Sequence, residues 1–352
     1  GITISGTGNL MMNSTGNING TGSVIVGGTT SLTAGAANIS LANTSNNFSG
    51  AVSVVSGNTV SLVDSDAMTL GAITANGTID IATLTGNLTL TGAVATTNAT
   101  ANAIKLNAGK NTAAGTATGG DILVTGGSVS TGAGGFATLY SGSVASSTGL
   151  TALIGSGSGH FRYNSDEAAS NYTTALTAGT NAIYREQPTV TTTASNDSKT
   201  YDGLAYSGGN GVTYAGFVNG DTSASMGGAL TYGGTSQGAV NAGNYTIVPS
   251  GYTNGLGYAL AYANGTLTIT GAPQPPAPQE PPQSILASIT SPQRHQNGTQ
   301  DSRDTQESSG NDSTVTYMGP GAGSGQIETS RMGGLLIDRT GYRSEEEVQE
   351  QL

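Results

Sequence analysis

Apolar and polar residues alternate in short runs that recur along the first half of the chain. Asn38-Ile39-Ser40-Leu41, Thr59-Val60-Ser61-Leu62 and Thr78-Ile79-Asp80-Ile81 each put two aliphatic side chains on one side of an extended segment. Asn87-Leu88-Thr89-Leu90, Ala103-Ile104-Lys105-Leu106 and Asp121-Ile122-Leu123-Val124 continue the series. A period of two marks a strand with one buried face. The copies themselves repeat: 21 residues separate Ile39 from Val60, 19 separate Val60 from Ile79, and 18 separate Ile104 from Ile122. Weaker runs such as Ala51-Val52-Ser53-Val54 and Gly71-Ala72-Ile73 fall between them.

A period near 20 with about three short strands in it predicts a solenoid, specifically a parallel β-helix. One coil cannot bury its apolar side alone, whereas stacked coils share a continuous core and a backbone ladder. At about 4.8 Å per coil, residues 1–160 would make roughly eight coils and a rod about 40 Å long. Within that register Ile79 points inward and Asp80 outward. Gly, Ser, Thr and Asn fill the intervening positions, which excludes a helix and suits tight corners. No Pro occurs in residues 1–187, as expected if almost every strand has a neighbour on both sides.

Composition sharpens this picture. The chain has 352 residues, of which 56 are Gly, with only 9% charged and 35% hydrophobic. Sparse charge and few aromatics would suit a disordered chain, but the regular alternation argues for a fold. There is no Cys and there are only two His, which excludes disulfides and Cys-ligated metal. The net charge of −11 gives no basic surface for nucleic acid. Apolar runs are only a few residues long, so no membrane-spanning helix is expected. No leader with a basic start and an apolar core opens the sequence at Gly1, which reads as a portion of a longer protein.

The composition changes along the chain and divides it. Residues 1–187 are the β-helix region. Residues 188–271 are Tyr-rich and hold eight of the 14 Tyr. Gly-Gly pairs at 208–209 and 233–234 punctuate alternating runs there, predicting about six antiparallel strands in a small β module. Most of these Tyr are expected to pack in its core. Residues 272–283 form a Pro-rich linker, extended and semi-rigid. Residues 284–352 form a polar tail, expected to be disordered, with a capping box at Ser344 and Glu347 before a helix too short to persist alone.

The shaft repeats, with Asn38-Ile39-Ser40-Leu41-Ala42-Asn43 and their relatives, resemble filamentous-haemagglutinin-like exoproteins. In the second region, Lys199-Thr200-Tyr201-Asp202-Gly203 is followed by Val212-Thr213-Tyr214-Ala215-Gly216-Phe217 and Val218-Asn219-Gly220-Asp221. Asn241-Ala242-Gly243-Asn244-Tyr245 and a closing strand from Asn264 to Thr270 come next. Their order and spacing over about 196–270 resemble an MBG (mostly β, glycine-rich) domain. The resemblance makes Tyr201, Asp202, Gly203, Tyr214, Gly216, Phe217, Asn219, Gly220, Asp221 and Tyr245 signature positions. In the Tyr201-Asp202-Gly203 turn, Asp202 would cap and Gly203 would serve the backbone. The two resemblances together imply a Gram-negative exoprotein exported by two-partner secretion, with an outer-membrane transporter as its partner. It would then attach to host or environmental glycans and proteins at the cell surface.

Candidate chemistry is sparse. A carbohydrate-active enzyme on a β-helix would need paired carboxylates about 5–9 Å apart. The candidates are Asp64, Asp66, Asp80 and Asp121, with Asp64 and Asp66 sharing a strand face; all four are expected to be solvated. Asp64-Ser65-Asp66 lacks the spacing of a calcium loop. Gly132 to Ala137 fits a dinucleotide fingerprint formally, but a strand pattern follows instead of a helix. His160 reads as a surface or cap residue, and no nucleophile-elbow motif surrounds any Ser. Sequons occur, for instance at Asn38, Asn47 and Asn87, and chance explains most of them in a chain so rich in Asn, Ser and Thr. The expectation is therefore an all-β adhesive segment, with no cofactor, no metal and no catalysis. The alternatives are a carbohydrate-active β-helix enzyme and a single-chain autotransporter passenger.

Overall fold

The computed structural model describes residues 1–272 and the short segments 330–332 and 335–337. Gly1–Pro275 form one compact unit and Pro276–Leu352 a second. In the second unit, Ser330–Met332 and Leu335–Ile337 pair as an antiparallel hairpin. The expectations for the Pro-rich linker beyond Ala272, for the disorder of the tail and for the Ser344–Glu347 capping box lie outside the described residues.

The first half is a parallel β-helix, as its alternation predicts. On one face, strands stack in the order Ile18–Asn19, Ile39–Leu41, Val60–Asp64, Ile79–Thr83, Ile104–Ala108, Phe136–Ser141 and Gly179–Tyr184. Phe161–Arg162 pairs beyond the last of these. A second eight-stranded face includes Leu10–Asn13, Thr30–Thr33, Val52–Ser56, Met68–Ala75, Leu88–Leu90 and Ile122–Val124. A third face, Ile2–Ile4, Val24–Val26 and Asn47–Phe48, is confined to the first coils.

Register explains the core. Ile39, Val60, Ile79, Ile104 and Ala137 are successive partners, as are Leu41, Leu62, Ile81, Leu106, Leu139 and Ala182. All of these side chains are buried. Two expectations change. Ile104 stacks on Ala137 rather than repeating at Ile122, and Ile122 pairs with Leu88 on a different face. The reason is an inserted loop after Ala108, which lengthens this coil. The buried guanidinium of Arg185 holds the loop, donating to the carbonyls of Ala108 (2.8 Å), Thr118 (3.2 Å) and Gly120 (2.7 Å).

The corners are built by polar side chains and by glycine. Asn9 Oδ1 accepts from Thr29 N, Asn17 Oδ1 from Asn38 N, and Asn38 Oδ1 from Thr59 N one coil later. Asn47 donates to Asp66, and Asn87 accepts from Asp121 N. Asn38, Asn47 and Asn87 are therefore struts between coils. At a second corner, a Cβ on Gly28, Gly50, Gly92 or Gly127 would overlap the backbone of Gly8, Gly28, Gly71 or Gly92 respectively. None of these four has positive φ, so glycine is required there for close approach between coils, not for a left-handed turn.

Asp64 departs from its expected solvated place. It is fully buried at the end of its strand, and its two oxygens accept from Phe48 N (2.9 Å) and Asp66 N (3.2 Å). It does not share a strand face with Asp66, because the strand stops at Asp64 and the chain turns. Its column continues through Thr83 and Ala108, and Thr83 Oγ1 accepts from Gly109 N in the same way. Inward polar groups here replace the ladder where the chain bends. Burial pushes the Asp64 carboxyl up to about 6, against the two backbone donors that favour its charged form. A carboxyl with a raised folded-state pKa binds its proton more tightly when folded. Its contribution is fully present below about 3.8 and is lost as pH rises toward about 6. Thermal melts of the wild type and Asp64→Asn across that window test this. The advantage of the wild type is expected to shrink as pH rises, and a constant difference would contradict the assignment.

The Tyr-rich region forms seven strands in two sheets. Thr189–Ala194 lies between Val212–Ala215 and Ala259–Ala263; Asp197–Thr200, Gly265–Thr270, Gly243–Asn254 and Met226–Gly233 form the other sheet in that order. The module is not wholly antiparallel. Thr189–Ala194 runs parallel to Ala259–Ala263, and Asp197–Thr200 runs parallel to Gly265–Thr270. Both segments cross from one sheet to the other within a few residues, so they travel side by side. Ala194, Ala239, Ile247, Leu267 and Ile269 make a small core of their own, with Tyr206, Tyr232 and Tyr245 packed on it. Val190, Leu256 and Tyr258 belong instead to the core of the shaft.

Candidate functional site at the shaft end

The last shaft coil ends in polar and aromatic side chains that cannot continue the aliphatic stack. Phe161, Arg162, Tyr163 and Tyr184 are all buried there. Arg162 satisfies its guanidinium with the carbonyls of Gly159, Phe161, Thr174 and Ala175, at 2.6–2.8 Å. Those bonds tie the segment around 174 across the shaft end, where Thr173 and Thr174 N–H groups donate to Gly255 O of the module.

Onto this end sits the Gly216–Asp221 segment. Gly216 has φ +98°, and a Cβ there would overlap Thr189 O. Asn219 (φ 53°) and Gly220 (φ 78°) are consecutive left-handed residues, the arrangement Asn-Gly is suited to. The turn drives Asn219 into the shaft. Its Oδ1 accepts from Thr151 Oγ1 at 2.6 Å, its Nδ2 donates to Tyr163 OH at 3.1 Å, and its carbonyl accepts from Gly157 N at 2.9 Å. Asp221 Oδ2 accepts from both Tyr163 OH (2.8 Å) and Tyr258 OH (2.9 Å). Burial and then the Asp221 charge push the Tyr163 phenol far above its usual range, and burial likewise raises Tyr258. Both phenols therefore remain protonated donors to the carboxylate.

An aromatic chain crosses the same boundary. Ring centroids lie 5.8 Å apart for Tyr184–Tyr163, 4.4 Å for Tyr163–Tyr258, 5.8 Å for Tyr258–Phe217 and 6.1 Å for Phe217–Tyr214. Tyr214 then meets Tyr252, with hydroxyls 2.6 Å apart. Such pairs add about 0.5–1.5 kcal/mol each beyond area burial.

The structure thus brings together Tyr214, Gly216, Phe217, Asn219, Gly220 and Asp221. The other signature residues lie elsewhere in the module. Tyr201 is exposed, Asp202 pairs with Lys199 at 2.8 Å and accepts from Leu204 N, and Gly203 has φ +76°. Lys199, through its hydrogen bond, holds the Asp202 carboxyl below the usual range. Tyr245 donates to Asn241 O at 2.9 Å. Thr151, Tyr163 and Tyr184 were not legible as partners. Their one signal was the Phe161-Arg162-Tyr163 run where the strand pattern fades. His160 is half-buried, with Nδ1 3.0 Å from Asn181 Oδ1.

The four candidate carboxylates are each held by local bonds, with Asp64 and Asp66 side by side. Asp64 is buried, Asp66 holds Asn47, Asp80 pairs with Lys105 at 2.7 Å, and Asp121 accepts from Ser143 N at 2.6 Å. Among the described residues, no three His, Asp or Glu are grouped to hold a metal ion. No helix there is long and apolar enough to cross a membrane.

Two family models match parts of the chain. Residues 190–268 are similar to the MBG domain (YGX type), and residues 1–55 to a family described as repeats of unknown function. No curated protein and no solved structure matches it. An MBG domain together with repeats suggests a surface or adhesin-like repeat protein, the MBG domain being typical of extracellular or surface proteins.

Proposed function

We propose that this chain is a rod-forming adhesive segment of an exported bacterial protein, in which the MBG module closes the β-helix and presents the binding surface beyond it. The observation that carries the reading is the junction itself. Shaft and module share one core and lock through Asp221 and Asn219, so the module is held as a fixed end of the rod. The exposed polar faces and module loops would bind host or environmental glycans or proteins, with contact distributed over many weak groups. Two-partner secretion across a Gram-negative outer membrane, with a dedicated transporter, is the export route that the sequence resemblance favours. No side chain need act chemically, which suits carboxylates already committed to coil-to-coil bonds.

The full chain applied to a glycan array, with parallel analysis of the array sugars for release, tests this. Saturable retention without released product is expected. Released oligosaccharide would replace the reading with an enzymatic one, and absence of retention on glycans and on immobilised host matrix proteins would overturn adhesion.

A further inference from the structure

Six Asn-Gly pairs fall in the folded unit, at Asn19, Asn76, Asn210, Asn219, Asn254 and Asn264. Asn-Gly is the pair most open to self-attack, because glycine offers no side chain to hinder its own nitrogen. Attack also needs a free glycine N–H and an asparagine side chain able to swing toward it. Five of the six are restrained. Gly20 N donates to Ser40 O (2.9 Å) and Gly77 N to Asn58 O (3.0 Å). Asn219 is buried with both side-chain atoms bonded. Asn254 Oδ1 accepts three backbone N–H groups, from Leu256, Gly257 and Tyr258. Gly265 is buried in the sheet opposite Ile247.

Asn210 differs. It and Gly211 are both exposed, and Gly211 N donates to no group among the described residues. A single exposed bond, Asn210 Nδ2 to Asn196 O at 3.0 Å, restrains the side chain. Gly211 has φ +83° with open space around it, so the loop has room to rearrange.

We infer that Asn210-Gly211 is a built-in deamidation site that changes the charge of the module as the protein ages. Gly211 N attacks Asn210 Cγ, forming a C–N bond. The side-chain amide leaves as ammonia, taking up the proton shed by the attacking nitrogen, and a succinimide results. Water then opens the ring at either carbonyl, giving aspartate or isoaspartate. The product lacks the amide donor to Asn196 O. It also adds a carboxylate to a shallow polar groove that Asn196, Asp197, Ser198, Asn210, Thr266 and Thr268 already line. Isoaspartate further inserts one backbone carbon just before the strand Val212–Ala215.

The test incubates the full chain at mildly alkaline pH and body temperature, digests it with chymotrypsin and quantifies isoaspartate by peptide. The peptide between Tyr206 and Tyr214 holds Asn210 alone among these pairs. It is expected to convert first, well ahead of those holding Asn76 and Asn219. Unfolding the chain in urea should bring the three to a common rate, and Asn210→Gln should abolish the early signal. Conversion at Asn76 or Asn219 as fast as at Asn210 in the folded chain would overturn the inference, as would an Asn210 peptide that stays intact.

Discussion

Replacing Ile79 by aspartate is expected to unfold the shaft, with a loss of at least about 4 kcal/mol. Ile79 is fully buried and lies in register between Val60 and Ile104, midway along the longest face. A carboxylate there meets only aliphatic neighbours, and ionised or protonated it has no partner. In a solenoid each coil is stabilised by its neighbours, so the damage spreads to the coils on either side. Asp80→Asn, one residue on, is the matched comparison. Its side chain is 42% exposed and loses only a pair with a 38% exposed Lys105, a change of about 0.2–1 kcal/mol. Urea unfolding followed by far-ultraviolet circular dichroism separates the two, and equal effects would mean that the register is wrong.

That contrast also shows how far the fold could be read from the residues. The steps from Ile39 to Val60 to Ile79 are visible because each coil there has the same length and the same alternation. The regular spacing ends after Ile104, where a loop inserted beyond Ala108 delays the next rung to Ala137. Alternation reports which side of a strand is buried, not which face of the solenoid the strand joins. Leu88 and Ile122 therefore looked like further copies of the Ile79 strand although they lie on another face. Asp64 departs from its expected place for a related reason. Parity holds only along a strand, and at its end the carboxylate turns inward to meet Phe48 N.

The junction was half legible. Asn219-Gly220-Asp221 stood out as a turn within a recognisable module, but nothing local shows what a turn faces. Its partners, Thr151 and Tyr163, lie 68 and 58 residues earlier in the chain. They come from a stretch whose apolar period has already faded. Hydrogen-bonded pairs this distant leave no periodic trace, and a single Tyr or Thr is too common to mark one.

Asp221→Ala should therefore act on the junction far more than on either part. It removes the acceptor shared by Tyr163 OH and Tyr258 OH. Tyr258 retains a longer bond to Val218 O at 3.3 Å, whereas Tyr163 OH accepts from Asn219 Nδ2 and loses its own acceptor in a buried place. Bonds to a charged acceptor contribute about 1.5–3 kcal/mol each, so a loss of about 3 kcal/mol is expected. Amide hydrogen exchange should show it as faster exchange in residues 151–163 and 217–222, with the strand Ile79–Thr83 unchanged. Asp221→Asn keeps an oxygen acceptor and should lose less. Asp202→Ala, at the other aspartate of the module signature, removes only an exposed turn contact and should leave the junction protected. If Asp202→Ala opened the junction as much as Asp221→Ala, or if Asp221→Ala left exchange there unaltered, the two parts would not be locked through this carboxylate. A rigid rod end would then need another cause.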